Sequence, residues 1–168
     1  MTDPSPAVLA FPHVQSAMSA RVRAFDWSST PLGPIAQWPF VLRFAVETML
    51  SSRFPACLAW GPERTLFYND AYLPIMGSKP EGLGRPISEV WSEAWPSIQP
   101  LVDKAFAGEA TFIEDFELEI NRFGQPEIAY FTFCYSPVRD DTGVVVGMLD
   151  TVVETTSKFH ALRQWRDA

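Results

Sequence analysis

The chain has 168 residues, 47% of them hydrophobic and 14% aromatic, which is enough for one domain with a sizeable core and flanking arms. Its formal net charge of -7 argues against nucleic acids and anionic membranes as partners, because both need a concentrated basic surface. The start of the chain lacks the basic residues of a secretory signal, and Arg43 and Glu47 interrupt the most apolar run before it reaches membrane-spanning length. We therefore expect a cytoplasmic protein.

The N-terminal third predicts an arm followed by two helices. Residues 1–13 are rich in proline and alanine, which indicates a loose arm, and a short helix follows. After a run of turn formers, a longer helix is expected over residues 39–50. Its expected buried face holds Val41, Phe44, Ala45, Thr48 and Met49. Because Leu42, Val46 and Leu50 are apolar as well, we expect this helix to be covered on two sides.

The next segment predicts two paired strands and the start of a helix. Residues 54–60 fit a buried strand and residues 65–68 its antiparallel partner, joined by a turn at Gly61-Pro62-Glu63-Arg64. The side chain of Asn69 or Asp70 can accept a hydrogen bond from the first turn of the helix that follows. This layout lacks the hallmarks of a catalytic loop.

The second half of the chain predicts a helix and three long strands. A helix is expected after Pro96, with Ile98 and Val102 among the residues that fit its period, and Pro100 fits poorly unless the regular helix begins there. The period then changes to that of a strand. One face of the first long strand is expected to hold Phe112, Phe116, Leu118 and Ile120. Residues 128–138 and 144–153 predict two further strands joined by a tight turn. The sum is an α+β fold: a five-stranded antiparallel sheet with helices on one face, an N-terminal helical extension and a C-terminal helix.

Four short motifs, in this order of elements, resemble the PAS domain family. Leu66-Phe67-Tyr68-Asn69-Asp70-Ala71-Tyr72 resembles its strand-to-helix signature, and Gly84-Arg85-Pro86 with Trp91 is similar to its linking turn. Residues 135–147 look like its closing hairpin. Val153-Glu154-Thr155-Thr156 resembles the Asp-x-Thr signature at the junction with an output helix, with glutamate in place of the usual aspartate.

This resemblance implies a sensory module of a signalling protein rather than an enzyme. It divides the chain into an arm and helical extension (1–53), a PAS domain (54–156) and the start of a signalling helix (157–168). Glu154 and Thr156 are then the expected signal-coupling residues, since Glu154 keeps the carboxylate of the signature. Residues 25–34 also look like the lead-in of PAS sensor domains in bacterial histidine kinases, which implies a two-component system.

Aromatic residues are the candidates for a ligand site. The chain holds 13 Phe, 6 Trp and 4 Tyr, so some rings are expected to line a pocket for a flat or apolar ligand between the sheet and the helices. The alternative for each ring is simple core packing. The candidates are Phe54, Tyr68, Trp91, Trp95, Phe106, Phe131, Phe133 and Tyr135. Tyr68 and Tyr135 are the polar ones, because a buried phenol needs a partner, whereas Asn69 is expected to be a structural cap.

The sequence carries no recognisable cofactor signature, and the cofactor stays unknown. Flavin photoreceptors of the family need a reactive cysteine in a helix motif of the Asn-Cys-Arg-Phe type, whereas Cys57 and Cys134 fall in predicted strands, as small buried hydrophobes often do. Haem binding would need an axial ligand that faces the pocket, and His13 and His160 lie outside the central domain. Metal-ligand spacings, a nucleophile elbow and a phosphate-binding glycine loop are missing from the sequence as well.

Two functions of different classes stay open, with a haem or flavin sensor as a third. The first is a ligand-sensing module that binds a small apolar or aromatic molecule and passes the change through residues 154–156 to the helix beyond. The second is a ligand-free homodimerisation module that uses the helix over residues 39–50 or the outer face of the sheet.

Overall fold

The computed structural model describes residues 11–168. Its strands are β1 (Ala56–Trp60), β2 (Thr65–Tyr68), β3 (Thr111–Ile120), β4 (Glu127–Arg139) and β5 (Val145–Glu154). Its α-helices are α1 (Ala17–Ala24), α2 (Phe40–Ser51), α3 (Leu73–Met76), α4 (Ile87–Val90), α5 (Trp95–Phe106) and α6 (Thr156–Asp167). The strands form one antiparallel sheet in the order β2-β1-β5-β4-β3, so the expected five-stranded α+β architecture is confirmed.

Helix α5 packs across the three long strands and defines the inner face of the sheet. Its buried side chains are Ile98, Val102 and Ala105, and they join Phe131 and Phe133 of β4 in one hydrophobic core. The two neighbouring short helices, α3 and α4, complete the same layer. Among residues 11–168, no helix combines the length and the apolar character needed to cross a membrane.

A single buried amide, that of Asn69, ties the end of α2 to the start of the sheet. Its Oδ1 accepts hydrogen bonds from the backbone N–H groups of Tyr72 and Ala56, both at 3.1 Å. Its Nδ2 lies 2.8–3.2 Å from the carbonyl oxygens of Met49 in the last turn of α2 and of Ser52 and Phe54 in the segment before β1. The side chain is fully buried, so every one of these groups would otherwise need another partner away from water. The expected structural cap at Asn69 is therefore present, and it joins three segments.

Asp70, the other candidate cap, serves a different helix. Its carboxylate accepts hydrogen bonds from the backbone N–H groups of Ala17 and Met18, at 3.2 and 2.8 Å, and so caps the N-terminus of α1. Glu47 of α2 does the same for the chain just before α1, where it accepts from the N–H of His13 at 2.9 Å. Two carboxylates thus fasten the extension to the rest of the domain.

An aromatic cluster covers the outer face of the sheet at its β1–β2 end. The ring of Trp27 stacks on Phe67 of β2 with centroids 4.8 Å apart, and Trp38 meets the same ring edge-on at 5.6 Å. Phe11 packs against Trp38 and is buried. The expected loose arm over residues 1–13 is therefore wrong from Phe11 onwards, and its earlier part lies outside the described residues.

Helix α2 buries a different face from the one predicted. Its buried residues are Leu42, Val46, Met49 and Leu50, so Met49 is the one member of the expected face that is fully covered. Phe40 and Phe44 are 72% and 61% exposed. Apolar residues occur on both sides of this helix, so the periodicity could not identify the side that meets β1 and β2. Within the described residues, the helix is covered on one side.

A β-bulge in β3 moves Phe112 off the predicted strand face, while Phe116, Leu118 and Ile120 keep it. The pairing of β3 with β4 shifts register between Ile113 and Phe116, and Asp115 has a φ of 48°. The extra residue puts Ile113 and Phe116 on the inner side together and turns Phe112 outwards, where it is 66% exposed. The strict alternation assumed from the sequence fails at this point.

Helix α5 begins at Trp95, next to the expected start at Pro96, and it continues through Pro100. Pro96 occupies its first turn, where a missing N–H costs nothing. Pro100 lies inside the helix and removes the bond that the carbonyl of Pro96 would accept. Both prolines lie on the exposed side of the helix, so water can satisfy that carbonyl.

The β2 edge of the sheet is occupied by the loop that precedes α4. Gly84 donates its N–H to the carbonyl of Leu66 at 2.9 Å, and Leu66 donates to the carbonyl of Arg85 at 2.9 Å. The N–H of Ile87 bonds to the carbonyl of Arg64 at 3.0 Å. The opposite edge strand is β3.

The change Asn69→Ala is expected to lower the free energy of unfolding by about 3 kcal/mol, because it leaves several buried backbone groups without a partner. Denaturant unfolding followed by circular dichroism measures this loss. Asn121→Ala is the matched control, since Asn121 is exposed, and its effect should stay within about 0.5 kcal/mol. Equal effects of the two changes would contradict the role given to Asn69.

Candidate functional site

A cavity lies between the inner face of the sheet and the helices α3, α4 and α5. The space open to the centre of a water-sized sphere is about 50 Å³. Its wall is mostly apolar, with Ile75 and Ile98 on the helix side and Leu118 and Val152 on the sheet side. A concave, mostly apolar space with a few polar groups is the usual form of a small-molecule site.

Four of the predicted pocket residues line this cavity. They are Trp91, Phe131, Phe133 and Tyr135. Trp91 closes the helix side just after α4, and the other three alternate along β4 so that all face inwards. Whether they bind a ligand stays a prediction.

The other four predicted pocket residues lie elsewhere. Tyr68 donates its hydroxyl hydrogen bond to Glu81 and accepts one from the N–H of Gly82 at 3.2 Å; burial and this carboxylate raise the pKa of Tyr68 to about 12. The ring of Phe106 lies 4.7 Å from the Arg64 guanidinium. Trp95 is partly buried against the core. Phe54 precedes β1, which starts at Ala56, and is 59% exposed. None of these four rings belongs to the cavity wall.

Asp150 of β5 is the polar residue of this cavity that the sequence analysis missed. It is 6% exposed. Its Oδ2 accepts a weak hydrogen bond from Cys57 Sγ at 3.4 Å, while its Oδ1 has no hydrogen-bond partner among the described residues. Burial raises the pKa of the Asp150 carboxyl to about 7. A signal existed in the sequence, since Asp150 is the one acid between Met148 and Val152 at the inward positions of an apolar strand.

Trp91 carries a second unmatched polar group. Its Nε1 is buried and has no acceptor in the described part of the chain. Its ring lies edge-on to Tyr72 with centroids 6.4 Å apart, and Lys79 Nζ lies 4.9 Å from its centroid. A buried indole N–H normally finds an acceptor, so Trp91 has an unused donor, and Asp150 has an unused acceptor.

The predicted coupling residue Glu154 forms an ion pair with Arg122, just beyond the end of β3. Its two carboxylate oxygens accept hydrogen bonds from Arg122 Nη1 at 2.6 Å and Nη2 at 2.8 Å. Arg122 Nε also bonds to Glu127 at 2.7 Å, and Nη1 reaches the carbonyl of Pro74 at 3.2 Å. The guanidinium lowers the pKa of Glu154, and Glu154 in turn raises the pKa of Arg122. Sequence analysis missed Arg122, because its partners are distant along the chain.

This ion pair continues into helix α6. Thr156 donates its hydroxyl hydrogen bond to Glu154 at 2.7 Å and accepts one from the N–H of Tyr130 at 3.0 Å. The ring of Tyr130 stacks on Phe159 of α6 with centroids 3.9 Å apart. The two predicted coupling residues therefore lie in one hydrogen-bonded group at the start of this helix.

Comparison with solved structures agrees with this geometry. No protein-family model and no curated protein sequence matches the chain. The PAS domain of Bordetella pertussis BvgS matches with a TM-score of 0.54 at 22% identity, over 75% of this chain and 94% of that one. The PAS domain of a Colwellia psychrerythraea protein matches with a TM-score of 0.50 at 14% identity, over 70% of this chain and 98% of that one. The domain has the PAS fold.

An RNA-binding light-oxygen-voltage receptor matches as well, with a TM-score of 0.53 at 22% identity. The match covers 82% of this chain but 38% of the receptor. At these identities the likeness concerns the fold.

The cavity of this PAS domain does not fit a flavin as its side chains stand. A benzene-sized ligand needs about 150 Å³, and the tricyclic flavin ring is larger, whereas about 50 Å³ is open here. Cys57 lies in β1 and Cys134 in β4, as the sequence predicted. Burial raises the pKa of the Cys57 thiol, and the neighbouring Asp150 carboxylate raises it further, so this thiol is held protonated.

The two histidines lie away from the cavity, as expected. His13 is in the segment before α1, and His160 is in α6, 6.0 Å from the ring of Tyr130. Among residues 11–168, no group of three or more His, Cys, Asp or Glu side chains is arranged to hold a metal ion.

The change Glu154→Gln is expected to lower the free energy of unfolding at pH 7 by about 2 kcal/mol, since it removes one of the two carboxylates paired with the nearly buried Arg122. The folded pKa of Glu154 lies below its ordinary value of 4.5. Its stabilisation is therefore full above about pH 4.5 and is lost as the pH falls through the folded pKa. Urea unfolding of both proteins between about pH 3 and pH 7 checks this, because the difference should shrink at the acidic end.

Glu119→Gln is the matched control, because Glu119 is exposed on β3. It should leave the free energy of unfolding close to that of the unchanged protein at every pH. A difference for Glu154→Gln that does not depend on pH would contradict the ion pair as its source.

Proposed function

We propose that this PAS domain is the sensory module of a cytoplasmic signalling protein, which binds a small ligand in the cavity beside Asp150 and transmits its presence to helix α6. In this proposal the domain senses a ligand and catalyses no reaction. The observation that carries it is the acceptor at Asp150, which has no hydrogen-bond partner among the described residues and belongs to a mostly apolar cavity wall. Buried polar groups without partners cost free energy, and a bound ligand would remove this cost.

The size of the cavity limits the ligand. A water-sized group takes about 10–15 Å³ by the same measure, so about 50 Å³ accepts a molecule of roughly three to five non-hydrogen atoms. At the best efficiency known for small ligands, about 1.5 kcal/mol per atom, four atoms give about 6 kcal/mol and a dissociation constant of tens of micromolar. The ligand proposed is therefore smaller than the aromatic molecule expected from the sequence.

The route from the cavity to the helix is short. Ile120 and Val152 line the cavity, and each stands two positions before a member of the ion pair, Arg122 or Glu154. Ile75 also lines the cavity and follows Pro74, whose carbonyl accepts from Arg122. A ligand that shifts these apolar side chains would change the free energy of the ion pair. Transmission of the signal requires two conformations of the domain, with and without the shift of these side chains, and a ligand that binds them with different affinities.

The proposed setting is the input end of a sensor histidine kinase in a two-component system. Its support is the lead-in at residues 25–34, which looks like that of PAS sensor domains in such kinases. In the structure this segment packs through Trp27 on the sheet, so it belongs to the folded unit. The kinase regions would then lie beyond Ala168.

The change Val152→Phe tests the cavity as a ligand site, because the added ring fills the space between β5 and the helices. Val153→Phe is the matched control, since Val153 lies on the opposite face of the same strand and is 41% exposed. Each protein is incubated with a small-molecule extract of its expression host and is then separated from unbound molecules by ultrafiltration. The protein is denatured, and the molecules that it releases are identified by mass spectrometry.

A molecule enriched by the unchanged protein and by Val153→Phe, but not by Val152→Phe, is the expected result. If the unchanged protein enriches nothing, or Val152→Phe enriches the same molecule, the cavity is not the site. Because overpacking costs about 1–3 kcal/mol, thermal unfolding is recorded for each variant to verify that it is folded during the measurement.

A homodimerisation module is the second candidate, favoured by the exposed rings on α2. Phe40 and Phe44 stand one helical turn apart with centroids 5.8 Å apart, and both are mostly exposed. Neighbouring exposed rings of this kind are typical of an interaction surface. The outer sheet face offers a competing surface, where Phe112 is exposed.

The changes Phe44→Asp and Phe112→Asp separate the two surfaces. If the chain dimerises through α2, sedimentation velocity should show a dimer that is lost in Phe44→Asp and kept in Phe112→Asp, because a charge in an apolar interface is costly. The reverse result would assign the dimer to the sheet face. A monomer at all concentrations would reject the dimerisation module.

A further inference from the structure

The described side chains that line the cavity include one acidic residue and no basic residue. Asp150 supplies its one carboxyl, and no lysine, arginine or histidine is among the described residues that line it. The groups that face Asp150 are the thiol of Cys57 from β1 and the phenols of Tyr72 and Tyr135, from the segment before α3 and from β4. Burial raises the pKa of all three, so they are uncharged at neutral pH. An ionised Asp150 therefore has no countercharge in the cavity.

Aromatic rings surround the same space. Five line it: Tyr72, Trp91, Phe131, Phe133 and Tyr135. Phe133 and Tyr135 lie 4.7 Å apart, and Tyr72 meets Trp91 edge-on. The face of an aromatic ring attracts a cation, most strongly where water is excluded. An anion would meet the Asp150 carboxyl without any cationic side chain of the described lining to balance it, so the wall disfavours an anion.

We propose that the ligand of this cavity is a small protonated amine, whose ammonium group donates a hydrogen bond to the Asp150 carboxylate and whose carbon atoms lie among the rings. This inference rests on the proposed function and narrows its ligand class. An ammonium group has three donors and no acceptor, and Oδ1 of this carboxylate has no partner among the described residues. A bare metal cation would need oxygen ligands on several sides, which this apolar wall does not offer.

Protonation of Asp150 links this binding to pH. In the free protein burial raises the pKa of the Asp150 carboxyl to about 7, and the amine pairs with the ionised form. Below that pH a proton must leave before the amine binds, so the affinity falls by about tenfold per pH unit. Above it the affinity levels off, until an aliphatic amine loses its own proton near about pH 10.

Propylamine, 1-propanol and propionate test the proposal, because they share a shape and differ in charge. Isothermal titration at pH 8 measures the affinity of the full chain for each. Propylamine is expected to bind roughly 30-fold or more tightly than 1-propanol, the factor that corresponds to losing one buried charge pair, and propionate should not bind. At pH 6 the affinity for propylamine should be about tenfold lower.

Asp150→Asn removes the charge and keeps the shape. It should abolish the preference for propylamine and the dependence on pH while leaving weak binding of 1-propanol. Asp141→Asn is the control, because Asp141 is exposed in the turn before β5, and it should behave like the unchanged protein. Circular dichroism verifies the fold of both variants, and the pH series on the unchanged protein needs no variant.

Three results would overturn the inference: equal binding of propylamine and 1-propanol, undiminished binding of propylamine to Asp150→Asn, or no binding of propylamine to the unchanged protein. If one of these occurs while the extract experiment still enriches an uncharged molecule that Val152→Phe excludes, the cavity stays a ligand site and the amine is rejected. If that experiment also enriches nothing, the sensory function falls with it.

Discussion

One buried side chain, the amide of Asn69, sets the relation between the N-terminal extension and the sheet. Its oxygen fixes the start of β1 and the turn after β2, and its nitrogen holds the carbonyls at the end of α2. An amide suits this position because it donates and accepts at once, while an apolar or charged side chain would leave some of these buried groups unpaired. The stacking of Trp27 on Phe67 and the caps from Asp70 to α1 depend on this arrangement.

Strand β5 carries two acidic residues in different environments, Asp150 and Glu154. Asp150 faces the cavity and is without a strong partner, so its ionisation is sensitive to whatever enters. Glu154 is four residues on, fully paired with Arg122, and keeps its charge. Asp150, whose ionisation can change, lies at the proposed ligand site. Glu154, which stays ionised, lies where α6 begins. Val152 between them is apolar, so the link is carried by packing rather than by a chain of hydrogen bonds.

Local rules predicted the sheet and part of the site, while long-range and irregular features escaped them. Aromatic residue type marked Phe133 of β4 as a candidate for the pocket wall, and Phe133 lines the cavity. Alternation along β3 placed Phe116, Leu118 and Ile120 on one face, as the structure does. It failed for Phe112, since a bulge with positive φ at Asp115 leaves no clear mark in the residue types. Arg122 was missed because its ion pair joins residues far apart in sequence. Asp150 was visible as an acid at an inward position, but a strand with apolar residues on both faces made the acid look like a solvent-facing one.

The two edges of the sheet differ in what they can accept. The β2 edge already pairs with residues 84–87, so a strand offered by another molecule could extend the sheet only beside β3. That edge carries Glu114, Glu117 and Glu119, all exposed. Rows of charge on an edge strand oppose the addition of like-charged chains. Two copies of this domain are therefore electrostatically discouraged from forming one continuous sheet, and a strand that joins this edge would need a basic sequence.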